Sequence, residues 1–360
     1  MRKSNAAGVL SAVFLVLIIP WSDVWCDEKS GEKGRSLMAL PVAGYSTDTG
    51  FVGGAAAIKS YNRDRIRIST IKTAAIYTAN KQFTSVFEID HYFPANRDRV
   101  LLNMNYVKYP TYYYGLGNDS SNDDPEKYTP EFFDMEFFYE RSLKNAFKFK
   151  TGFFFHKEAL VEFESDGNFI GSDAPWKRGR LDAGPEFSFI RDSRDNINAT
   201  QSGSLVQVRY RGLMFQDEGG SSNKLTMEAR KFYNPHPDIV IGFMALNDNV
   251  RGDTPHYLYP TLGGQDRLRG YEENRFQDRS RILFQQDIRF TLWGPIGGCF
   301  FAATGRVAPD VESLFSGTWH SAAGCGIRWY YNREDNLPIR IDIARGSDAN
   351  GVYFGFGEAF

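Results

Sequence analysis

The chain has 360 residues, 42% hydrophobic and 24% charged, and its 42 Lys and Arg against 44 Asp and Glu give a formal net charge of −2, which excludes bulk attraction to nucleic acid. After Pro20 no apolar run approaches the roughly 20 residues of a membrane helix, and the mean hydropathy of −0.41 is that of a soluble protein. Yet 30 Phe, 19 Tyr and 34 Gly would serve the aromatic girdles and tight turns of a transmembrane β-barrel, which hides its apolar face by alternation along each strand.

The chain opens on Arg2 and Lys3, then a nearly continuous apolar stretch over 6–20 centred on Leu15, Val16, Leu17, Ile18 and Ile19, then polar Asp27, Glu28 and Lys29. This is the pattern of a secretory signal peptide over 1–26. Val24 and Cys26 are small enough for the −3 and −1 positions of a cleavage site. A lipoprotein reading of Cys26 competes, against the bulk of Trp25. Residues 27–36 then form a short periplasmic leader, and 37–360 the folded domain.

Strands are predicted almost at once: 38–46, 51–61, 66–79, 82–93 and 99–109, then a long polar and aromatic connection over 110–130. Next come 131–143 and 146–160, a second long connection over 161–179, and strands at 180–190, 203–214, 224–233 and 238–249. After the stretch 250–280 the last group is 281–293, 297–308, 318–331, 338–345 and 351–360. The total is about 16 strands, an even number of lengths suited to crossing a bilayer at a tilt. With the N-terminus starting in the periplasm, the three longest connections follow the fifth, seventh and eleventh strands and face outward, where such barrels carry long loops.

Alternation supports this reading. Ile282, Phe284, Gln286, Ile288, Phe290 and Leu292 share one face of their strand, and Arg281, Gln285, Asp287 and Arg289 share the other. Leu181, Ala183, Phe187 and Phe189 alternate with Asp182, Glu186 and Ser188, and Ile339, Ile341 and Ile343 with Arg340 and Asp342. The signal peptide and the charge of the second face favour an apolar side turned outward, since burying so many ions in a closed soluble barrel would cost several kcal/mol each unless every one were paired. A soluble sandwich or propeller is the alternative, but no propeller-like repeat of roughly 40–50 residues is visible. Parity puts Cys299 on the inward face with Phe301 and Ala303, and Cys325 on the opposite face with Ile327, which favours two free thiols.

The stretch 259–290 is too long and too charged for a simple turn. Within it Leu268, Arg269, Gly270 and Tyr271 follow Gly263 and Gly264. At this position, between the eleventh and twelfth strands, the string resembles the sixth-loop signature of the BamA/TamA outer-membrane assembly-factor superfamily, the bacterial surface antigen barrels. The resemblance implies a loop folded back into the lumen, with Arg269 paired to an acidic residue of the inner wall. Asp287, inward on the next strand, matches that acidic position. Arg191, Asp192, Arg194 and Asp195, followed by Gly203, resemble the family's periplasmic turn. Phe301 to Val307 resembles its F-x-D-x-G strand, except that Ala303 replaces the usual Asp and removes one implied partner of Arg269. Phe354, Phe356 and Phe360 resemble a C-terminal signal read by the outer-membrane insertion machinery.

The resemblance covers about residues 37–360 and implies a barrel lacking the family's periplasmic POTRA domains, resident in the bacterial outer membrane with its C-terminus in the periplasm. It implies assistance to the insertion or translocation of outer-membrane proteins or lipids through a lateral seam between first and last strands. Pro41, which lacks an N–H, and Gly351, Gly355 and Gly357 give that seam fewer ladder bonds and a weakened closing strand. The expected partners are outer-membrane lipid, the insertion machinery for its own biogenesis, and a periplasmic partner or client protein. A passive or self-plugged pore, or a structural surface antigen, is the alternative. No catalytic residue, cofactor or metal is expected: the five His are scattered without ligand spacing, and no G-x-S-x-G elbow supports a barrel hydrolase.

Overall fold

A strand that alternates apolar and charged residues has two incompatible faces, and a wall with lipid on one side and a polar lumen on the other accommodates both. A computed structural model describes residues 36–360 apart from 47–49, 62–68, 95–96, 122–124, 164–179, 198, 216–220, 255–257, 331–337 and 348. The signal peptide and the leader up to residue 35 lie outside the described residues, as does the connection 164–179.

Sixteen long strands form the wall. The first five are β1 (Ser36–Ser46), β2 (Gly50–Tyr61), β3 (Ser69–Thr78), β4 (Phe83–Tyr92) and β5 (Asp98–Lys108). Then come β6 (Glu126–Ser142), β7 (Phe147–Phe163), β8 (Arg180–Asp192), β9 (Gly203–Phe215), β10 (Ser221–His236) and β11 (Ile239–Gly252). The last five are β12 (Ser280–Trp293), β13 (Ile296–Ala308), β14 (His320–Trp329), β15 (Ile339–Arg345) and β16 (Asn350–Phe356). Each pairs antiparallel with its sequence neighbour, from β1 with β2 through to β15 with β16. This is an all-β transmembrane barrel. Among the described residues no ladder joins β16 to β1.

Burial follows parity. On β12, Arg281, Leu283, Gln285, Asp287 and Arg289 are buried while Phe284, Ile288 and Leu292 are exposed. On β8, Asp182, Glu186 and Ser188 are buried opposite exposed Phe187 and Phe189, and on β15 Arg340 and Asp342 opposite Ile341 and Ile343. The charged face is the lumen. Among the described residues both cysteines are free, Cys299 buried and Cys325 partly so. Cys299 opposes Gly326, while Cys325 opposes the exposed Phe300.

Two strand ends differ most from the sequence reading. β6 begins at Glu126, inside the expected 110–130 connection, because Pro130 is accommodated at a register shift beside Thr129. Proline cannot donate to a ladder, and a bulge is where a strand tolerates it. The last strand stops at Phe356 rather than 360. Gly357, at φ 77°, lies beyond it and turns the tail away from the sheet. Gly357 is therefore not part of the closing strand assigned to the seam.

Candidate functional site

Between β11 and β12 the chain enters the lumen over residues 258–279, within loop 253–279. A two-residue ladder, Thr261–Leu262 with Phe276–Gln277, ties its two legs together. Its turn needs left-handed backbone: Gly263, Gly264 and Gly270 have φ of 113°, 88° and 112°, a region open to glycine without penalty. Gly270 is further constrained, since a Cβ there would lie 2.8 Å from the main-chain N of Gly346. Leu268 adopts φ 64° without being glycine. Its side chain is fully buried, in an apolar cluster with Leu262, Phe276, Leu283, Ala303 and Val307, and that packing holds the unfavourable backbone.

The next residue carries the charge. Arg269 is 2% exposed; its Nη2 donates to Asp287 Oδ1 at 3.0 Å and its Nη1 to Asp342 Oδ2 at 2.6 Å. The guanidinium lies over the Phe301 ring, 3.4 Å from the centroid, a cation–π contact. Asp342 also accepts from Arg328 at 2.5 Å and Arg340 at 3.4 Å. Asp287 accepts from Arg289 at 3.4 Å, and Glu358, on the inturned tail, lies 2.9 Å from Arg328 and 3.7 Å from Arg289. A buried ion is tolerated when its counter-charge and hydrogen bonds come with it. Here loop, wall and tail share one network.

Tyrosines fix the backbone on either side. Tyr353 Oη accepts from the Gly270 N–H at 2.8 Å and donates to the Tyr271 carbonyl at 2.9 Å. Tyr271 Oη donates to the Ser321 carbonyl at 3.2 Å and accepts from the Ser347 N–H at 3.2 Å. Wall glycines make room: a Cβ at Gly346 would meet the Tyr271 ring at 2.6 Å, at Gly355 Arg340 Nε at 2.6 Å, and at Gly351 Tyr353 Oη at 2.5 Å.

A second outer loop covers the first. Between β5 and β6, Thr111–Tyr113 pairs back on β6, and the chain then crosses the lumen mouth. Gly117 N–H donates to the Gln277 carbonyl at 2.8 Å, Tyr114 Oη to Glu272 Oε2 at 2.8 Å, and Arg275 to the Ser120 carbonyl at 2.6 Å. Asn118 reaches the far wall, donating to the Thr318 carbonyl at 3.0 Å and accepting from the Val307 N–H at 3.2 Å. Burial, then the hydrogen bond to Glu272, push the Tyr114 hydroxyl well above its usual pKa, so it stays a donor.

The turn between β8 and β9 is ordered by its own carboxylates. Asp195 accepts from the N–H groups of Asn196, Gln201 and Ser202 at 2.8, 3.0 and 3.1 Å, and Asp192 accepts from Arg194 Nε at 2.9 Å. Gly203, at φ 105°, closes the turn where a Cβ would lie 2.2 Å from the Ser193 carbonyl. Arg191 is exposed on the opposite face.

Of the residues singled out in the sequence, Arg269 and Asp287 meet; Ala303 lies in the apolar cluster and carries no charge to Arg269. Sequence reasoning missed Asp342, Arg328, Arg340, Glu358 and Tyr353, and the whole capping role of loop 109–125. Pro41 is exposed on β1, opposite Ala55. Phe354 is half-buried on β16. The Phe356 side chain is outside the described residues. Phe360 is buried in the lumen, 6.1 Å from Phe232 between ring centroids.

A charged lumen occupied by its own sixth outer loop defines a class of outer-membrane barrel. The Omp85 superfamily domain model matches residues 64–360, and the chain belongs to that superfamily. Among solved structures it is similar to BamA from Haemophilus ducreyi lacking POTRA domains 1–3, with 10% identity, a TM-score of 0.60, and coverage of 96% of this chain and 74% of that one. It is also similar to CdiB from Acinetobacter baumannii, with 13% identity, a TM-score of 0.55, and coverage of 96% of this chain and 65% of that one. A comparison with curated protein sequences gives no match.

Proposed function

We propose that this barrel assists the insertion or translocation of outer-membrane proteins or lipids at a lateral seam between β1 and β16, without chemical catalysis. The observation that carries this reading is the occupied lumen: the Arg269 network holds loop 253–279 inside, and loop 109–125 covers it. A barrel that spends its lumen on a braced loop favours its wall over its bore as the working surface. Pro41 on β1 and Gly351 and Gly355 on β16 support that seam, because a proline cannot donate to a ladder and glycines weaken a strand. The partners in this account are outer-membrane lipid, a client or a separate periplasmic protein, and, for its own assembly, the insertion machinery that reads Phe354, Phe356 and Phe360.

The test is reconstitution. Liposomes carrying the purified barrel should integrate a urea-unfolded outer-membrane protein several-fold faster than empty liposomes. Equal rates would remove the proposal. The same occupied lumen also suits a plugged structural barrel, which predicts those equal rates.

A further inference from the structure

Beside the Arg269 network the lumen keeps a cavity of about 370 Å³, bounded by β9, β10 and β11 and by the loop tip at Gln265, Asp266 and Arg267. Its acids are already engaged. Glu228 pairs with Arg230, Asp248 with Arg281, and Asp266 with Arg340, and Glu358 belongs to Arg328 and Arg289. Three further cations line the space: Arg209 and Lys224 from the wall and Arg267 from the loop. None of them forms a salt bridge among the described residues. Lys224 Nζ donates to the Leu258 carbonyl at 3.5 Å and shares the field of Asp248 with Arg281. Beyond the cavity the wall acid Glu186, which also feels Arg209, is in contact with Arg211 at 2.6 Å and Lys150 at 3.3 Å.

Six cations and four carboxylates line the space, so the surplus cations repel one another and low-dielectric walls concentrate their field on the space between them. An oxyanion relieves that repulsion, and guanidinium forks suit phosphate oxygens in particular. The volume lies within the roughly 300–1,000 Å³ of small-molecule pockets. We propose that this cavity binds a small soluble phosphate-type oxyanion, with Arg209, Lys224 and Arg267 as its donors. Because Arg267 stands two residues before Arg269, the bound anion would tie the loop tip to the β9–β10 wall, a second anchor for the loop that needs no protein partner. The inference does not depend on whether the barrel inserts clients.

The test is calorimetric titration of the detergent-purified, folded barrel with inorganic pyrophosphate. Saturable binding near one per chain is expected. It should weaken at least tenfold in Arg209→Gln/Lys224→Gln and in Arg267→Gln, and remain unchanged in Arg279→Gln, whose side chain bonds the Gly252 carbonyl outside the cavity. Arg267 is exposed on the loop, so its variant decides the matter should the wall variant fail to fold. No saturable heat with the folded wild type, or undiminished binding in Arg267→Gln, overturns the proposal.

Discussion

Asp342 accepts a hydrogen bond from Arg269 at 2.6 Å across 73 residues of sequence. The second carboxylate that position 303 lacks is thus supplied from β15, two strands further round the wall. Asp342 then serves three guanidiniums, those of Arg269, Arg328 and Arg340, against two for Asp287. Removing one member of a buried pair leaves its partner uncompensated, at about 3–5 kcal/mol. Asp342→Asn should therefore lower the thermal midpoint of the folded barrel more than Asp287→Asn. Heat-modifiability on gels as a function of temperature ranks the two; the reverse order would show that Asp287 is the main anchor.

Restoring an acid at position 303 should not help. Ala303 packs with Leu262, Leu268 and Val307, and an unpaired polar group buried there costs about 1–3 kcal/mol. Ala303→Asp is expected to destabilise the wild-type barrel in the same melting assay. A rise in the midpoint would mean that Arg269 can swing to serve it.

Tyr353→Phe removes the hydroxyl that bonds both the Gly270 N–H and the Tyr271 carbonyl. The buried amide left without a partner costs about 1–3 kcal/mol, and hydrogen exchange at residues 268–271 should quicken about tenfold or more. Unchanged exchange would show that Arg269 alone holds the turn.

Glycine at 355 separates two explanations by sign. If it serves only to loosen the closing strand, Gly355→Ala stabilises by about 0.4–1 kcal/mol through the unfolded chain. Because the added Cβ would meet Arg340 Nε at 2.6 Å, and that guanidinium is pinned by Asp266, Asp342 and the Gln265 carbonyl, the structure predicts a loss of about 1–3 kcal/mol instead, the range for overpacking.

The wall was legible because its signal is local. Period-two alternation fixes which face of β8, β12 and β15 is charged, and parity alone separated Cys299 from Cys325. The ends were less legible for physical reasons: Pro130 reads as a breaker unless a bulge receives it, and the tail 357–360 alternates like a strand while Gly357 turns it inward. In the site, the loop signature and the adjacent Asp287 are near in sequence and were found together. Asp342 and Asn118 were not, because their partners depend on how the curved wall brings distant strands to one side of the lumen. The alternation of Arg340 and Asp342 carried the hint of a lumen ion pair without saying whose. Nor does any spacing rule reveal that the loop after β5 caps the loop after β11.

The central claim is that Arg269 holds the sixth outer loop inside the barrel. Single-channel conductance in planar bilayers tests it most directly, comparing wild type with Arg269→Ala. Small, flickering openings in the wild type and larger, longer ones in the variant are the predicted result. A large steady conductance in the wild type, or identical traces from both, would contradict it.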